Sequence, residues 1–340
     1  MSTVAAVLLF VGVVAYAVLG GGDYGAGFWD LTAGGARRGR RPRHLIDETL
    51  APVWEANHVW LIFCLVMLWT GFPRAFAAIM TTLYIPVGLA ALGIVVRGSG
   101  FAFRKVVVRT DQQRAAGAAF AASSVITPFF LGAVAGGIAS GRVPAQGSGD
   151  AVTSWLNPAA LLGGTLAVAV CAFIAAVLLT AEARRRGDTE LEGWFRHRAQ
   201  AIGVVTGFVG LAGIAVLRAD APRVFHGLVT RGLPLVAVSA GCGLVCLVAL
   251  RREAPRMLRR RAAPRVLQAL AVGAAGTVVL GWGVAQYPYL LGTHLPIAAA
   301  AAPDPTLWAL AVVAAAALVV VVPAFVLLFV LHQRGRLDGG

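Results

Sequence analysis

The chain has 340 residues, of which 59% are hydrophobic and only 13% are charged, and its net charge at pH 7 is +14. Soluble domains average roughly 45–50% apolar and about 25% charged residues, so this composition excludes a soluble globular protein and predicts a polytopic membrane protein. The basic residues lie in short runs between apolar segments, where membrane orientation and anionic lipid headgroups explain them, so we expect membrane lipid and no nucleic acid among the partners.

Nine apolar segments follow one another along the chain, each long enough to cross a hydrocarbon core of about 30 Å as a helix. They cover residues 4–33, 51–71, 75–97, 115–140, 157–181, 199–217, 233–250, 265–286 and 306–331. Closed barrels would show short strands of alternating polarity instead, so the predicted fold is all-α with nine transmembrane helices. The connections are short, and we expect a single membrane domain over 1–340.

The distribution of Lys and Arg predicts the orientation of the chain. Of the 29 basic residues, 24 lie after the first, third, fifth and seventh spans or in the C-terminal tail, and this count includes Arg97. Because basic residues accumulate on the cytoplasmic side, the N-terminus is predicted outside and the C-terminus in the cytoplasm.

The first span contains a glycine-rich run with two acids. Glycines at 20, 21, 22, 25 and 27 remove side chains where another helix must approach. Asp23 and Asp30 lie seven residues apart, which places them on one helix face about 10 Å from each other. Ionisable groups inside a membrane are functional candidates, and both acids are candidates for a proton path. In the alternative interpretation Asp23 accepts hydrogen bonds from a neighbouring helix and Asp30 lies near the cytoplasmic headgroups.

The second span begins with an acid and an imidazole on one face. Glu55 lies in the first helical turn after Pro52, and His58 follows three residues later. One interpretation is a carboxylate that the helix dipole stabilises beside an aromatic belt. The other is a proton relay, since burial raises the pKa of a carboxyl towards neutrality and an imidazole titrates near pH 7. The neighbouring motif residues are Trp54, Asn57 and Trp60.

The histidines and cysteines do not form a metal-binding pattern. His58 is within a span, while the other five histidines lie in loops or at span ends, so there is no second buried imidazole for a bis-histidine haem site. The four cysteines are all inside apolar segments, where small buried hydrophobic residues are the simpler explanation. We therefore expect no metal and no haem ligated by this chain.

The sequence resembles subunit II of the cytochrome bd quinol oxidases. The motifs that carry the resemblance lie within the first 105 residues: GGGDYGAGFWDL (20–31), APVWEANHVWLI (51–62), Phe72-Pro73, and RGSGFAFR (97–104), which contains Arg97 and Arg104. Asn157-Pro158 and Gln286-Tyr287-Pro288 resemble weaker features of the family. The acid of the second span is Glu55 here, where other members carry aspartate.

The resemblance implies a fold and a complex. Residues 1–140 and 157–286 would form two four-helix bundles, with a peripheral ninth helix over 306–331. The chain would be the haem-free subunit of a bacterial inner-membrane oxidase that oxidises quinol, reduces oxygen to water and generates proton motive force. Haems b and d and the quinol site would belong to subunit I. A small single-helix accessory subunit and quinone are further expected partners.

The resemblance also implies roles for individual residues. Asp23 and Glu55 match the positions of family acids that are proposed to form a hydrophilic path from the cytoplasm towards the haems of subunit I. The chain itself would have no complete active site. An ion-coupled secondary transporter is the alternative function, although the second half lacks a counterpart of the acidic spans. A scaffold without chemistry of its own is less compatible with buried acids.

Overall fold

The computed structural model describes residues 1–35, 37–50, 54–106, 110–251, 264–292 and 294–333. Side chains at 50, 54–56, 101–106, 110–115, 322, 325, 326 and 328–333 lie outside that description. The helices in chain order are α1 (Ser2–Leu31), α2 (Arg40–Leu50), α3 (Trp54–Gly71), α4 (Pro73–Thr82), α5 (Tyr84–Val106), α6 (Thr110–Ala139), α7 (Pro158–Arg185), α8 (Thr189–Asp220), α9 (Pro222–Gly227), α10 (Leu233–Ala249), α11 (Pro264–Gln286), α12 (Ile297–Ala300) and α13 (Asp304–Gln333). A π-helical turn, Leu228–Gly232, joins α9 to α10, and β1 (Tyr289–Leu291) pairs with β2 (Leu295–Pro296) in an antiparallel hairpin.

The prediction of an all-α membrane fold is confirmed. Within the described ranges, seven helices are long and apolar enough to cross a membrane, and the bent pair Asn57–Gly71 and Pro73–Thr82 raises the number to eight. The chain bends by 113° between these two helices. Pro73 disfavours a helical conformation at the preceding residue, and Phe72 accordingly has φ −136° and ψ 59°. The chain therefore turns sharply after α3.

The third predicted span differs from the structure. It was expected to be one helix over 75–97, but the helix is broken at Leu83, between α4 and α5. Pro86 explains the break, because its ring has no N–H and clashes with the carbonyl of Thr82, four residues earlier. After the break, α5 continues from Tyr84 to Val106, and its part with described side chains, Tyr84–Gly100, is apolar.

Two further elements differ from the expected boundaries. The seventh span was expected at 233–250, but its helical stretch begins at Pro222 and runs for 28 residues to Ala249 through the π-helical turn. The connection after the first span contains α2, an amphipathic helix that buries Leu45 and Ile46.

Close backbone contacts at glycines hold the central helices together. A Cβ on Gly25 of α1 would lie 1.9 Å from the carbonyl oxygen of Cys171 in α7. Two turns earlier in α7, a Cβ on Gly132 of α6 would lie 2.3 Å from the carbonyl oxygen of Gly163. Helix α7 therefore packs against both α1 and α6 at distances that only glycine permits. The predicted role of the first glycine run is confirmed at Gly25.

Apolar clusters lie at both ends of the helix assembly. We call the end that carries α2 and the start of α8 the basic end, because Arg41, Arg43 and Arg184 to Arg186 lie there. The cluster at this end includes Trp29, Leu45, Phe173, Phe195 and Leu267. The cluster at the opposite end includes Leu9, Phe72, Leu83, Leu291 and Leu307. Helix α1 contributes to both clusters and therefore runs through the middle of the fold.

Candidate functional site: a buried acid–arginine pair

Asp23 in α1 and Arg97 in α5 form an ion pair inside the protein. Arg97 is 1% exposed and Asp23 is 4% exposed. Nη2 of Arg97 donates hydrogen bonds to Oδ1 of Asp23 at 2.6 Å and to its backbone carbonyl at 3.1 Å. Nη1 of Arg97 donates a hydrogen bond to the hydroxyl of Ser124 in α6. Each buried charge is thus compensated by an opposite charge and by hydrogen bonds, as burial of a charge requires.

A glycine makes this three-helix contact possible. A Cβ on Gly27 would lie 2.0 Å from Oγ of Ser124 and 3.1 Å from Nη1 of Arg97. The missing side chain therefore leaves the room in which the hydroxyl and the guanidinium meet beside α1. The local sequence places Asp23 one helical turn before Gly27, so the acid and the gap share a face.

Aromatic rings enclose the guanidinium of Arg97. Its central carbon lies 4.9 Å from the ring centroid of Tyr24 and 4.3 Å from that of Phe120, within the range of cation–π attraction. The hydroxyl groups of Tyr24 and Tyr16 form a 2.9 Å hydrogen bond. The rings shield the ion pair from bulk water, and a low local dielectric strengthens the attraction between the charges.

The structure corrects the position that the charge distribution gave to Arg97. The distribution of basic residues predicts Arg97 at the cytoplasmic end of the third span. In the structure it is one of the largest fully buried side chains among the described residues. A signal for this pairing exists in the sequence, because an acid as deep as Asp23 needs a cation. Asp23 and Arg97 are 74 residues apart in the chain, and the sequence does not specify which cation is adjacent.

The second span brings two predicted residues close to α1. Asn57 is 4% exposed and its amide Nδ2 donates a 3.1 Å hydrogen bond to the carbonyl of Leu19, which ties α3 to α1. His58 is half-buried in α3 and is close enough to Asp23 and Arg97 for electrostatic interaction with both.

The remaining predicted residues lie elsewhere or outside the described side chains. Trp60 is half-buried and its ring makes an edge contact with Phe63, with centroids 6.2 Å apart. Trp54 and Glu55 begin α3, and Arg104 belongs to the last turns of α5. The side chains of these three residues are outside the part of the chain that the structure describes.

Asp30 forms a separate ion pair at the basic end. Nε of Arg43 donates a 2.8 Å hydrogen bond to Oδ1 of Asp30, whose side chain is 5% exposed. Arg43 also donates to the carbonyl of Gly34 at 2.6 Å. Gly34 has φ +97°, a conformation that favours glycine and reverses the chain after α1. Asp30 is therefore bound to a protein cation at the basic end.

Further ion pairs connect α2 to the start of α8. Arg41 contacts both Glu190 and Asp188, and its distance to Oδ2 of Asp188 is 2.8 Å. Oδ1 of Asp188 also accepts a hydrogen bond from the backbone N–H of Leu191, so it caps α8. This backbone bond and the neighbouring Arg41 lower the pKa of the Asp188 carboxyl. Arg186, in the connection between α7 and α8, forms an ion pair with Glu48 of α2.

The opposite end of α8 has one ion pair with a capping role. Asp220 binds Arg142 through both carboxylate oxygens, at 2.5 and 3.0 Å. Oδ2 of Asp220 also accepts a 3.0 Å hydrogen bond from the backbone N–H of Ala159, in the first turn of α7. This carboxylate joins α8, α7 and the segment after α6.

The described residues contain no group of three or more His, Cys, Asp or Glu side chains placed to hold a metal ion. The polar chemistry of the site consists of one compensated ion pair, one hydroxyl and one imidazole near it.

Comparison with known proteins supports one family over nearly the whole chain. The model of the family described as "Cytochrome bd terminal oxidase subunit II" matches residues 1–332. The chain is 29% identical to the "Cytochrome bd ubiquinol oxidase subunit 2" of Bacillus subtilis (strain 168) over 251 residues, which are 72% of this chain and 70% of that protein. It is 27% identical to the "Cytochrome bd-I ubiquinol oxidase subunit 2" of Escherichia coli (strain K12) over 209 residues, which are 58% of this chain and 52% of that protein.

A solved structure shares the fold. A chain of the bd oxidase from Geobacillus thermodenitrificans superposes with a TM-score of 0.79 at 24% sequence identity, and the match covers 96% of this chain and 97% of the other. At this level of identity the likeness extends to the architecture alone.

Proposed function

Because the chain belongs to the cytochrome bd terminal oxidase subunit II family, we propose that it is the haem-free second subunit of a quinol-oxidising terminal oxidase. The observation that carries the proposal is the family match over residues 1–332. In the complex, subunit I would bind haems b and d, which transfer electrons from quinol to oxygen. This chain would pack against subunit I in a bacterial inner membrane and supply protons from the cytoplasm.

The proposed arrangement has nine transmembrane helices in two four-helix bundles, over 1–140 and 157–286, with the ninth helix at the periphery. The basic end would face the cytoplasm. Its charge supports this orientation, because Arg41, Arg43 and Arg184 to Arg186 lie there and basic residues accumulate on the cytoplasmic side. The N-terminus would then be outside, at the end of α1 that is distant from α2.

The proposed proton path runs through α1 and α3. Asp23 and Glu55 would take up protons from the basic end, and His58 would pass them towards the interior. The hydrogen bond from Asn57 to Leu19 supports this order, because Leu19 lies one helical turn farther from the basic end than Asp23 and His58 is next to Asn57. Asp30, which is held by Arg43, would shape the electrostatic field at the start of the path.

Co-purification tests the proposed division of labour. Tagged subunit expressed with a haem-bearing partner should carry the reduced-minus-oxidised spectrum of haems b and d into the preparation. The same subunit expressed alone should be colourless, because His58 is within a predicted span and the other histidines lie in loops or at span ends, which leaves no second imidazole for a bis-histidine site. Stoichiometric haem in a preparation free of subunit I would contradict the proposal.

Substitution of Glu55 tests the proton path. Glu55→Gln preserves the shape of the side chain but cannot release a proton, so we expect an assembled complex with normal haem content. Quinol-driven oxygen consumption should fall about tenfold or more, which corresponds to a barrier raised by about 1.4 kcal/mol. Glu48→Gln, at an acid on the surface of α2, is the matched control and should leave turnover unchanged. Wild-type turnover and proton-gradient formation in Glu55→Gln would remove this residue from the path.

A further inference from the structure

Two buried polar atoms beside the ion pair have no protein partner in the described part of the chain. They are Nε of Arg97 and Oγ1 of Thr127. Thr127 is 0% exposed and Arg97 is 1% exposed, so bulk water does not reach either side chain. Buried polar groups are almost always hydrogen-bonded to protein or to an ordered water molecule. These two atoms therefore call for a ligand that both can bind.

The antiparallel packing of α5 and α6 places the residues Arg97 and Thr127 one helical turn apart along the contact of the two helices. Arg97 bonds to Ser124, and a Cβ on Gly93, one turn earlier in α5, would lie 2.3 Å from Oγ1 of Thr127. Side chains in a helix lean towards its N-terminus, so the stem of Arg97 leans from its own position towards Gly93. The missing side chain of Gly93 lets the Thr127 hydroxyl pack against the backbone of α5, one turn from Arg97.

A third polar group belongs to the backbone of α6. Pro128 lies inside this helix and has no N–H. The carbonyl of Ser124, four residues earlier, consequently lacks its regular helical donor. The contact between α5 and α6 thus offers one donor and two acceptors. The donor is Nε of Arg97, and the acceptors are Oγ1 of Thr127 and the carbonyl of Ser124.

The charges nearby select the ligand. A cation would be repelled by the Arg97 guanidinium, and an anion by the Asp23 carboxylate that the guanidinium binds. A neutral molecule that accepts one hydrogen bond and donates two fits the three groups, and buried waters typically make about three hydrogen bonds. We infer that one water molecule is bound between Nε of Arg97, Oγ1 of Thr127 and the carbonyl of Ser124.

This water site extends the polar region one helical turn beyond the Asp23–Arg97 pair, away from the basic end. It makes Thr127 a water-binding residue and Arg97 a bridge between that water and Asp23. The inference rests on packing and hydrogen-bond chemistry, so it stands whether or not the proton path through Glu55 is correct.

The test uses the purified oxidase complex and two measurements. The first is a structure at a resolution that shows ordered water, and the second is the infrared O–H stretch of internal water, identified by its shift in heavy-oxygen water. The wild type should show density at the site and a shifting band. Thr127→Val, which removes the hydroxyl and keeps the branched shape, should lose both, while Thr127→Ser should keep both.

Ser123→Ala is the matched control. Ser123 is buried in the same helix, but its hydroxyl already donates to the carbonyl of Phe120 at 2.8 Å. Loss of the Ser123 hydroxyl should leave the water density and the infrared band in place. The inference is overturned if the wild type shows no density between the three groups, if Thr127→Val keeps the water, or if Ser123→Ala loses it equally.

Discussion

Replacement of Arg97 with methionine is expected to destabilise the folded subunit by about 3–5 kcal/mol, because it leaves the Asp23 carboxylate buried without a compensating charge. The complex should lose most of its yield and release haem at a lower temperature. Thermal unfolding of the purified complex, followed by haem retention, measures the effect.

A double variant distinguishes loss of compensation from loss of packing. Asp23→Leu combined with Arg97→Met removes both charges, and apolar replacements of buried ion pairs are often close to neutral. The double variant should therefore be more stable than Arg97→Met alone. Arg41→Met is the surface control; Arg41 is 55% exposed, and its loss should cost no more than about 1 kcal/mol. Equal effects of Arg97→Met and Arg41→Met would show that the buried pair has no special contribution.

Gly25→Ala is expected to disrupt the contact between α1 and α7, because the added Cβ would lie 1.9 Å from the Cys171 carbonyl oxygen. Overpacking of this kind typically costs about 1–3 kcal/mol. The two atoms nearest to the added Cβ are the backbone O and C of Cys171, which cannot rotate away as a side chain can. The expected result is reduced assembly and a lower unfolding temperature. Gly25→Leu should prevent accumulation of the subunit in the membrane.

Gly207→Ala is the control, and its expected effect on stability has the opposite sign. A Cβ on Gly207 in α8 would meet nothing within 4 Å. Alanine in a helix interior is favoured over glycine by roughly 0.5–1 kcal/mol, so Gly207→Ala should be neutral or slightly stabilising. A loss of stability at Gly207 as large as that at Gly25 would mean that close helix approach is not the cause.

Much of the architecture is predictable because long apolar segments have few alternatives in a bilayer. The helical class and the role of Gly25 follow from composition and spacing. The apolar character of 75–97 continues through the break at Leu83, so the pattern predicts one span there although Pro86 signals a break. The charged residues of α2 indicate a loop, because the burial of this helix depends on contact with α7.

The candidate site was predictable in its residues more than in its contacts. Asp23, His58 and Asn57 are recognisable as polar residues in apolar segments. The partner of Asp23 depends on how α5 is aligned beside α1, which is a tertiary property. Arg97 is at the end of an apolar stretch, where its sequence position is typical of an interfacial residue. Only packing against Gly27 and Ser124 shows that it points inward.

The charged anchors of α8 have a consequence for how this protein can evolve. Asp188 at its start is bound by Arg41 and Asp220 at its end is bound by Arg142, while only 11% of the most apolar stretch between them is buried. Most middle positions are not packed against other helices of this chain, and at such positions one apolar residue replaces another at little cost. Related sequences should therefore diverge freely along the middle of α8 and change at its ends only in pairs, with a lost acid accompanied by a lost arginine.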